Sequence, residues 1–301
     1  MYEKNKLKEY IKNSELRVFN KDIKVRLSKE LAIKYDKGYY NEYLNNISKY
    51  IKMIKKLNIK YPGNAKPVLY VYIVPDNNYR ELLGIPEKYD NGKGGGKPVM
   101  CYDLDGFSSA YGLSQNILEN KNKETDISKV ENEIHELSHI VHSQFFNKNL
   151  IISEGFAEAL PLYGLNMEKD FTEHKNALLN LEEEQILSVQ EILKLEKDDT
   201  FGIETILQNK TCSFRISYIS SYLFVRGCME IIAKKFDLKK EDAVQRFLEI
   251  VRESECINEW LIFDIADALD LSREELLNGK QIELEVLKSF RNIKSILIFS
   301  L

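Results

Sequence analysis

Three of the four histidines in this chain fall within eight residues. His135 and His139, with Glu136 beside the first of them, form the pattern His-Glu-x-x-His. Four residues turn an α-helix by about 400°, so both imidazoles project from one face and can meet one ion at about 2.0–2.1 Å. Glu136 lies about 100° around the helix, within reach of a water on that ion. On a helix, the pattern predicts a zinc site with its own general base.

The residues around this pattern favour a helix. Ser128 and Glu131 form a potential capping box at its start. An apolar stripe with helical spacing then follows, comprising Ile127, Val130, Ile134, Leu137 and Val141. The pattern alone is also compatible with a chance match in a glutamate-rich chain, so a third ligand is needed to strengthen the prediction.

Catalytic zinc needs a third protein ligand and an open position. Downstream of the histidines lies the run Ser153-Glu-Gly-Phe-Ala157, on a second predicted helix. The two motifs together resemble the gluzincin metallopeptidases, which include thermolysin-like and alanyl-aminopeptidase-like enzymes. Their third ligand is a glutamate on the next helix, in a similar run. The resemblance implies Glu154 as the third ligand and one Zn²⁺ per chain.

Two further residues near the motifs stay open as alternatives. Fourteen residues separate His139 from Glu154, whereas aminopeptidase-like members have a longer spacing that would select Glu158. Loop lengths vary easily, so the local motif favours Glu154, and Glu158 is then a carboxylate that orients a ligand histidine. His142 shares the face of His139, and we expect it in the core or supporting a ligand.

The resemblance also implies a tyrosine that donates to the oxyanion of the reaction. In these families it lies on a later helix, commonly as Tyr-x-x-Gly. Tyr218 occurs in the similar run Tyr-Ile-Ser-Ser and is the implied donor, with Tyr222 one turn away as the alternative. For Arg226 on the same helix, a charge on the helix surface is favoured over a clamp for a substrate carboxylate.

These residues together imply a zinc metallopeptidase acting on a peptide or protein. Glu136 would take a proton from the activated water and pass it to the leaving amine. The predicted strand Pro98–Tyr102 can pair with an extended substrate. In aminopeptidase-like members, a Glu-Asn pair follows the corresponding methionine, and its glutamate binds the free amine of the substrate. Met100 is not followed by this pair, so we expect that a free substrate α-amine is not required. The alternative is a zincin-like binding protein without activity.

The composition excludes several other classes of protein. Hydrophobic residues make up 44% of the 301 residues and charged residues 30%, as in folded globular chains. The net charge of −4 provides no positive field for nucleic acid. The four cysteines form no Cys-x-x-Cys pair, which favours free thiols in a reducing compartment. We find no targeting segment or continuous membrane-spanning run and expect a cytoplasmic protein. The oligomeric state stays open.

Hydropathy patterns divide the chain in two. They predict an α+β fold with an N-terminal α/β part over residues 1–125. The resemblance to gluzincins implies that the fold is zincin-like and that the sheet of this part lies next to the active site. A mostly helical part over residues 126–301 would carry the zinc site. The elements predicted in the first part are strand structure at Arg17–Leu27, a helix from Ser28 to about Leu57, and strands at Val68–Val74 and Pro98–Tyr102. Helix breaks are expected near Pro161–Asn166, Asp198–Gly202 and Asp237.

Overall fold

A computed structural model describes residues 9–10, 12–61, 69–76, 99–101, 110–121, 131–143, 145, 149–168, 170–198, 200–201, 206–208, 213–254 and 259–298. Over these residues the protein is a mixed α+β fold in which helices predominate. The chain splits into two compact units, Met1–Lys56 with Tyr61–Gln144, and Leu57–Lys60 with Phe145–Leu301. The boundary predicted after residue 125 differs, because the helix that carries the two histidines groups with the first unit.

The first unit contains a five-stranded mixed sheet in the order β1-β2-β3-β5-β4. The strands are β1 (Ser14–Val18), β2 (Ile23–Ser28), β3 (Leu69–Val74), β4 (Val99–Cys101) and β5 (Ala110–Ser114). The three inner strands β2, β3 and β5 run parallel, whereas β1 and β4 pair antiparallel with their neighbours at the two edges. The strands predicted at Arg17–Leu27, Val68–Val74 and Pro98–Tyr102 are confirmed within a few residues.

Burial along the strands explains why these segments form the sheet. In β2 the buried side chains alternate, with Ile23, Val25 and Leu27 inaccessible to solvent. This period of two is that of a strand with one face in the core. In β3 five of the six residues are buried, as expected for a central strand covered on both faces. The continuous β-branched and aromatic run that predicts β3 therefore reflects its central position.

The helices of the first unit are α1 (Lys29–Lys34), α2 (Asn41–Lys56), α3 (Gln115–Lys121) and α4 (Glu131–Ser143). The single helix predicted from Ser28 to about Leu57 is wrong, because the structure divides it into α1 and α2. Ser28 does cap α1, accepting a hydrogen bond from the Leu31 amide. The helix then stops where the Asp36 carboxylate accepts hydrogen bonds from the amides of Gly38 and Tyr39. This local turn competes with the helical hydrogen bonds.

The second unit is mostly helical, as the sequence predicts. Its elements are α5 (Leu150–Ala159) with a π-helical continuation (Leu160–Gly164), α6 (Thr172–Asn180), α7 (Val189–Lys197), β6 (Ile206–Gln208), β7 (Ser213–Arg215), α8 (Ile216–Lys235), α9 (Lys240–Glu253), α10 (Glu259–Leu269), α11 (Arg273–Asn278) and α12 (Gln281–Ile298). Strands β6 and β7 pair antiparallel. Asn166 and Asp237 have φ angles of 56° and 50°, and this left-handed backbone falls at two of the predicted breaks.

Helix α8 is the centre of the second unit, packing against α5, α9 and α12. A Cβ atom at Gly227 would lie 2.1 Å from Cγ2 of Ile282, so the glycine permits the close approach of α8 and α12. By length and composition α8 is also apolar enough to cross a membrane, although 78% of its apolar window is buried inside the structure. A buried core helix passes the same test, so this is weak support for a membrane span.

Candidate metal centre

Helix α4 is held against the sheet of the first unit by its apolar side. Ile134 and Leu137 are buried, and the helix packs against α2, β4 and β5. Ser138 donates a hydrogen bond to the Ile134 carbonyl, and its Oγ lies 2.6 Å from the Tyr50 hydroxyl on α2. These contacts fix the rotation of α4 about its axis, and with it the direction of the two histidines.

The two histidines of α4 converge as their spacing predicts. Nε2 of His139 lies 2.9 Å from Nε2 of His135, and the rings meet edge to face at 4.6 Å between centroids. His139 is 7% exposed and His135 is half-buried. In neutral imidazoles that carry the proton on Nδ1, both Nε2 atoms have lone pairs and repel each other. A cation between the two nitrogens relieves this repulsion. The arrangement therefore suits a metal ion.

The start of helix α5 is fixed by a buried side chain. The side-chain Oδ1 of Asn149 accepts a hydrogen bond from the Ile152 amide at 3.1 Å, which is the expected N-cap contact. The Glu196 carboxylate, from α7, accepts a hydrogen bond from the Leu150 amide, and burial raises its pKa. Because the first turn is held in this way, the position of Glu154 one turn later is defined.

Glu154 joins the two histidines in a potential metal-binding group. One ligand atom each from His135, His139 and Glu154 lies within 4.8 Å of the others. Tetrahedral zinc with bonds of 2.0–2.1 Å places its ligands roughly 3.3 Å apart. This spacing lies between the 2.9 Å that separates the two Nε2 atoms and the 4.8 Å that bounds the whole group. Two imidazoles and one carboxylate form a donor set found in catalytic zinc sites. The residues present therefore fit zinc.

The glycine after Glu154 determines how closely α5 approaches α8. A Cβ atom at Gly155 would lie 2.3 Å from the Ser221 carbonyl oxygen and 2.6 Å from Cγ2 of Val225. Such distances leave no room for any side chain larger than hydrogen. The glycine of the Ser-Glu-Gly-Phe-Ala run thus has a packing role, and it brings the turn of α5 that carries Glu154 against α8.

The alternative ligands occupy other positions. Glu158 is outside the potential metal-binding group and only 8% exposed, with Oε2 3.2 Å from Nδ1 of His174. Among the described residues, Glu154 is thus the carboxylate that groups with the two histidines, whereas Glu158 lies against His174. His142 is 1% exposed, consistent with the predicted core position.

The two candidate tyrosines on α8 differ sharply in exposure. Tyr218, in the first turn, is half-buried with its ring 5.5 Å from that of Phe201. Tyr222 is fully buried, and its hydroxyl accepts a hydrogen bond from Arg226 at 2.7 Å. Burial raises the pKa of Tyr222 to about 12. Of the two, Tyr218 is therefore the one that is partly accessible to solvent. Glu136, the predicted general base, is half-buried on α4.

Arg226 corrects a sequence-based expectation. It was expected on the helix surface, but the side chain is buried, with 6% of the residue exposed. Its guanidinium donates to Glu168 at 2.6 Å and to Glu230 at 2.8 Å, in addition to Tyr222. The guanidinium is thus engaged within the protein, which also argues against a clamp for a substrate carboxylate. Glu168 lies 58 positions away along the chain, so the spacing of residues on α8 does not predict this ion pair.

Some predictions lie outside the described residues. These include the capping residue Ser128, Pro98 and Tyr102 at the ends of the predicted strand, and the side chain of Met100. One residue was missed altogether: His174, the fourth histidine. The only signal for it in the sequence is that histidine is rare in this chain. The other three of the four histidines lie in the zinc motif or beside it.

The chain matches no known protein-family model and no curated protein sequence. Its function is therefore inferred from the geometry and chemistry of the site.

Proposed function

We propose that the protein is a zinc-dependent metallopeptidase of the gluzincin type. The observation that carries the proposal is the grouping of His135, His139 and Glu154, with one ligand atom of each within 4.8 Å of the others. These are the residues that the His-Glu-x-x-His pattern and the Ser-Glu-Gly-Phe-Ala run select. Glu136 adds a carboxylate that metal binding alone does not require, and this favours hydrolysis over a purely metal-binding role.

The sheet of the first unit supports a zincin-like fold. Helix α4 packs against β4, a short strand at the edge of the sheet that runs antiparallel to β5. An edge strand presents unpaired backbone groups on its outer side, and an extended peptide can add there as a further strand. We propose that a peptide substrate is held along β4, through its backbone.

In the proposed hydrolysis, Glu136 and Tyr218 have separate roles beside the zinc ion. A bound zinc ion would supply a nucleophilic water near neutral pH and polarise the scissile carbonyl. The Glu136 carboxylate accepts a proton from the attacking water and delivers it to the leaving amine nitrogen. The Tyr218 hydroxyl donates a hydrogen bond to the oxygen of the tetrahedral intermediate, on which negative charge develops.

Replacing Glu136 tests this proposal directly. Glu136→Gln keeps the size of the side chain but removes its basicity, so we expect zinc content to persist while peptide hydrolysis falls by roughly 10²–10⁴-fold. Glu131→Gln, at the start of the same helix, is the matched control and should retain activity. Near-normal turnover by Glu136→Gln would refute its role as base. If the zinc-loaded wild type cleaves no peptide in a library, the protein is a zinc-binding protein without hydrolytic activity.

A further inference from the structure

Glu154 and Glu158 lie one turn apart on the same face of α5. The Glu158 carboxylate is nearly buried, and its Oε2 lies 3.2 Å from Nδ1 of His174 in the first turn of α6. His174 is 2% exposed. The contact therefore joins the helix that carries the metal ligand to a neighbouring helix in the protein interior.

A chain of buried polar groups extends from this contact. The His174 ring meets the Tyr222 ring edge to face, at 4.5 Å between centroids. The Tyr222 hydroxyl accepts from Arg226, and Arg226 is held in turn by Glu168 and Glu230. His174 is thus anchored on its far side by a side chain that is itself fixed, so its imidazole has a defined position opposite Glu158.

Stability alone does not account for such a chain. Buried ionisable groups are often neutral or unfavourable relative to well-packed apolar residues, because burial removes their hydration. The orientation of α5 about its own axis is a separate requirement. Gly155 allows close packing of α5 on α8 but offers no side chain to fix the rotation of α5. The close contact between Oε2 of Glu158 and Nδ1 of His174 ties the face that carries Glu154 to a side chain on a neighbouring helix.

We propose that His174 is a positioning residue for the metal ligand Glu154, acting through Glu158. This inference rests on the proposed zinc site. The partners behind metal ligands hold their orientation, and removing one typically weakens metal affinity by roughly 10–100-fold. His174 does not touch the metal, so its loss should loosen the ion without abolishing the site.

Two substitutions of His174 separate positioning from packing. In Asn, the side-chain amide nitrogen falls near the position of Nδ1 in histidine, so His174→Asn keeps a nitrogen donor at the position that faces Glu158. In Gln, the amide nitrogen falls nearer the position of Nε2, and the donor is displaced. Glu230→Gln is the control, because it weakens the other end of the polar chain, at Arg226. The readouts are zinc dissociation constants, measured by competition with a chromogenic chelator, and the visible spectrum of the cobalt-substituted protein.

We expect His174→Gln to raise the zinc dissociation constant roughly 10–100-fold and to alter the cobalt spectrum, with His174→Asn and Glu230→Gln within about threefold of wild type. Thermal unfolding shows whether each variant is folded. The inference is overturned if His174→Gln binds zinc as wild type does. It is also overturned if all three variants lose zinc equally, since that indicates a general loss of packing. If the wild type itself binds no zinc, the proposed function fails first.

Discussion

Two carboxylates on one face of α5 have different surroundings. Glu154 is half-buried and within reach of both histidines, whereas Glu158 is nearly buried against His174. We therefore expect Glu154→Ala to remove most of the bound zinc, because the ion loses a direct ligand. Glu158→Ala should weaken binding less. Metal content after dialysis measures both, and the reverse ranking would make Glu158 the ligand.

The tyrosines of α8 offer a second comparison between single residues. Loss of a placed oxyanion donor typically lowers kcat by roughly 10²–10³-fold. We expect Tyr218→Phe to show such a fall with little change in KM, because the ring and its contact with Phe201 are kept. Tyr222→Phe removes the acceptor of a buried Arg226 hydrogen bond and should lower thermal stability more than kcat. Equal kcat in Tyr218→Phe and wild type would exclude this role.

At the scale of elements, Gly155 contributes to stability by allowing α5 and α8 to pack closely. Gly155→Ala places a methyl group against the backbone at Ser221, where neither helix can yield without shifting. We expect a loss of about 1–3 kcal/mol in the free energy of unfolding, measured with urea. Gly38→Ala is the control, because its new Cβ would meet only the ends of the Asp36 and Asn41 side chains in an exposed turn. Similar stability in both variants would contradict the packing role.

Sequence patterns predict elements best where one local signal dominates. Strand β3 is visible as a continuous apolar run, and α4 and α5 through their motifs. The break between α1 and α2 was missed because tyrosines at helical spacing continue across it, while the Asp36 side chain turns the backbone locally. The burial of Arg226 and the pairing of Glu158 with His174 are tertiary, so no spacing along the chain predicts them.

At the scale of the whole molecule, one buried acid makes stability depend on pH. Glu283 on α12 is 2% exposed, and burial raises its pKa from the ordinary value of 4.5 to about 8. Between these values the unfolded chain releases the proton while the folded protein keeps it. The contribution of the protonated Glu283 to folding stability is therefore fully present below about pH 4.5 and is progressively lost as the pH rises towards 8.

Replacing Glu283 with glutamine removes this dependence. We expect the stability advantage of Glu283→Gln over wild type to grow by on the order of 3 kcal/mol between pH 5 and pH 8. Urea unfolding at several pH values measures it. Glu285→Gln, an exposed neighbour on the same helix, serves as the control and should leave the pH profile unchanged. A difference between Glu283→Gln and wild type that is constant with pH would rule out titration of this group.

The central claim is a zinc ion held by His135, His139 and Glu154. Elemental analysis of the full chain, purified without chelators and then dialysed against zinc-free buffer, tests it most directly. The account predicts one equivalent of zinc in the wild type and in Glu136→Gln, and strong depletion in His135→Ala, His139→Ala and Glu154→Ala. Folded wild-type protein that retains no zinc, even after loading with excess metal, would contradict it, as would full retention in the ligand variants.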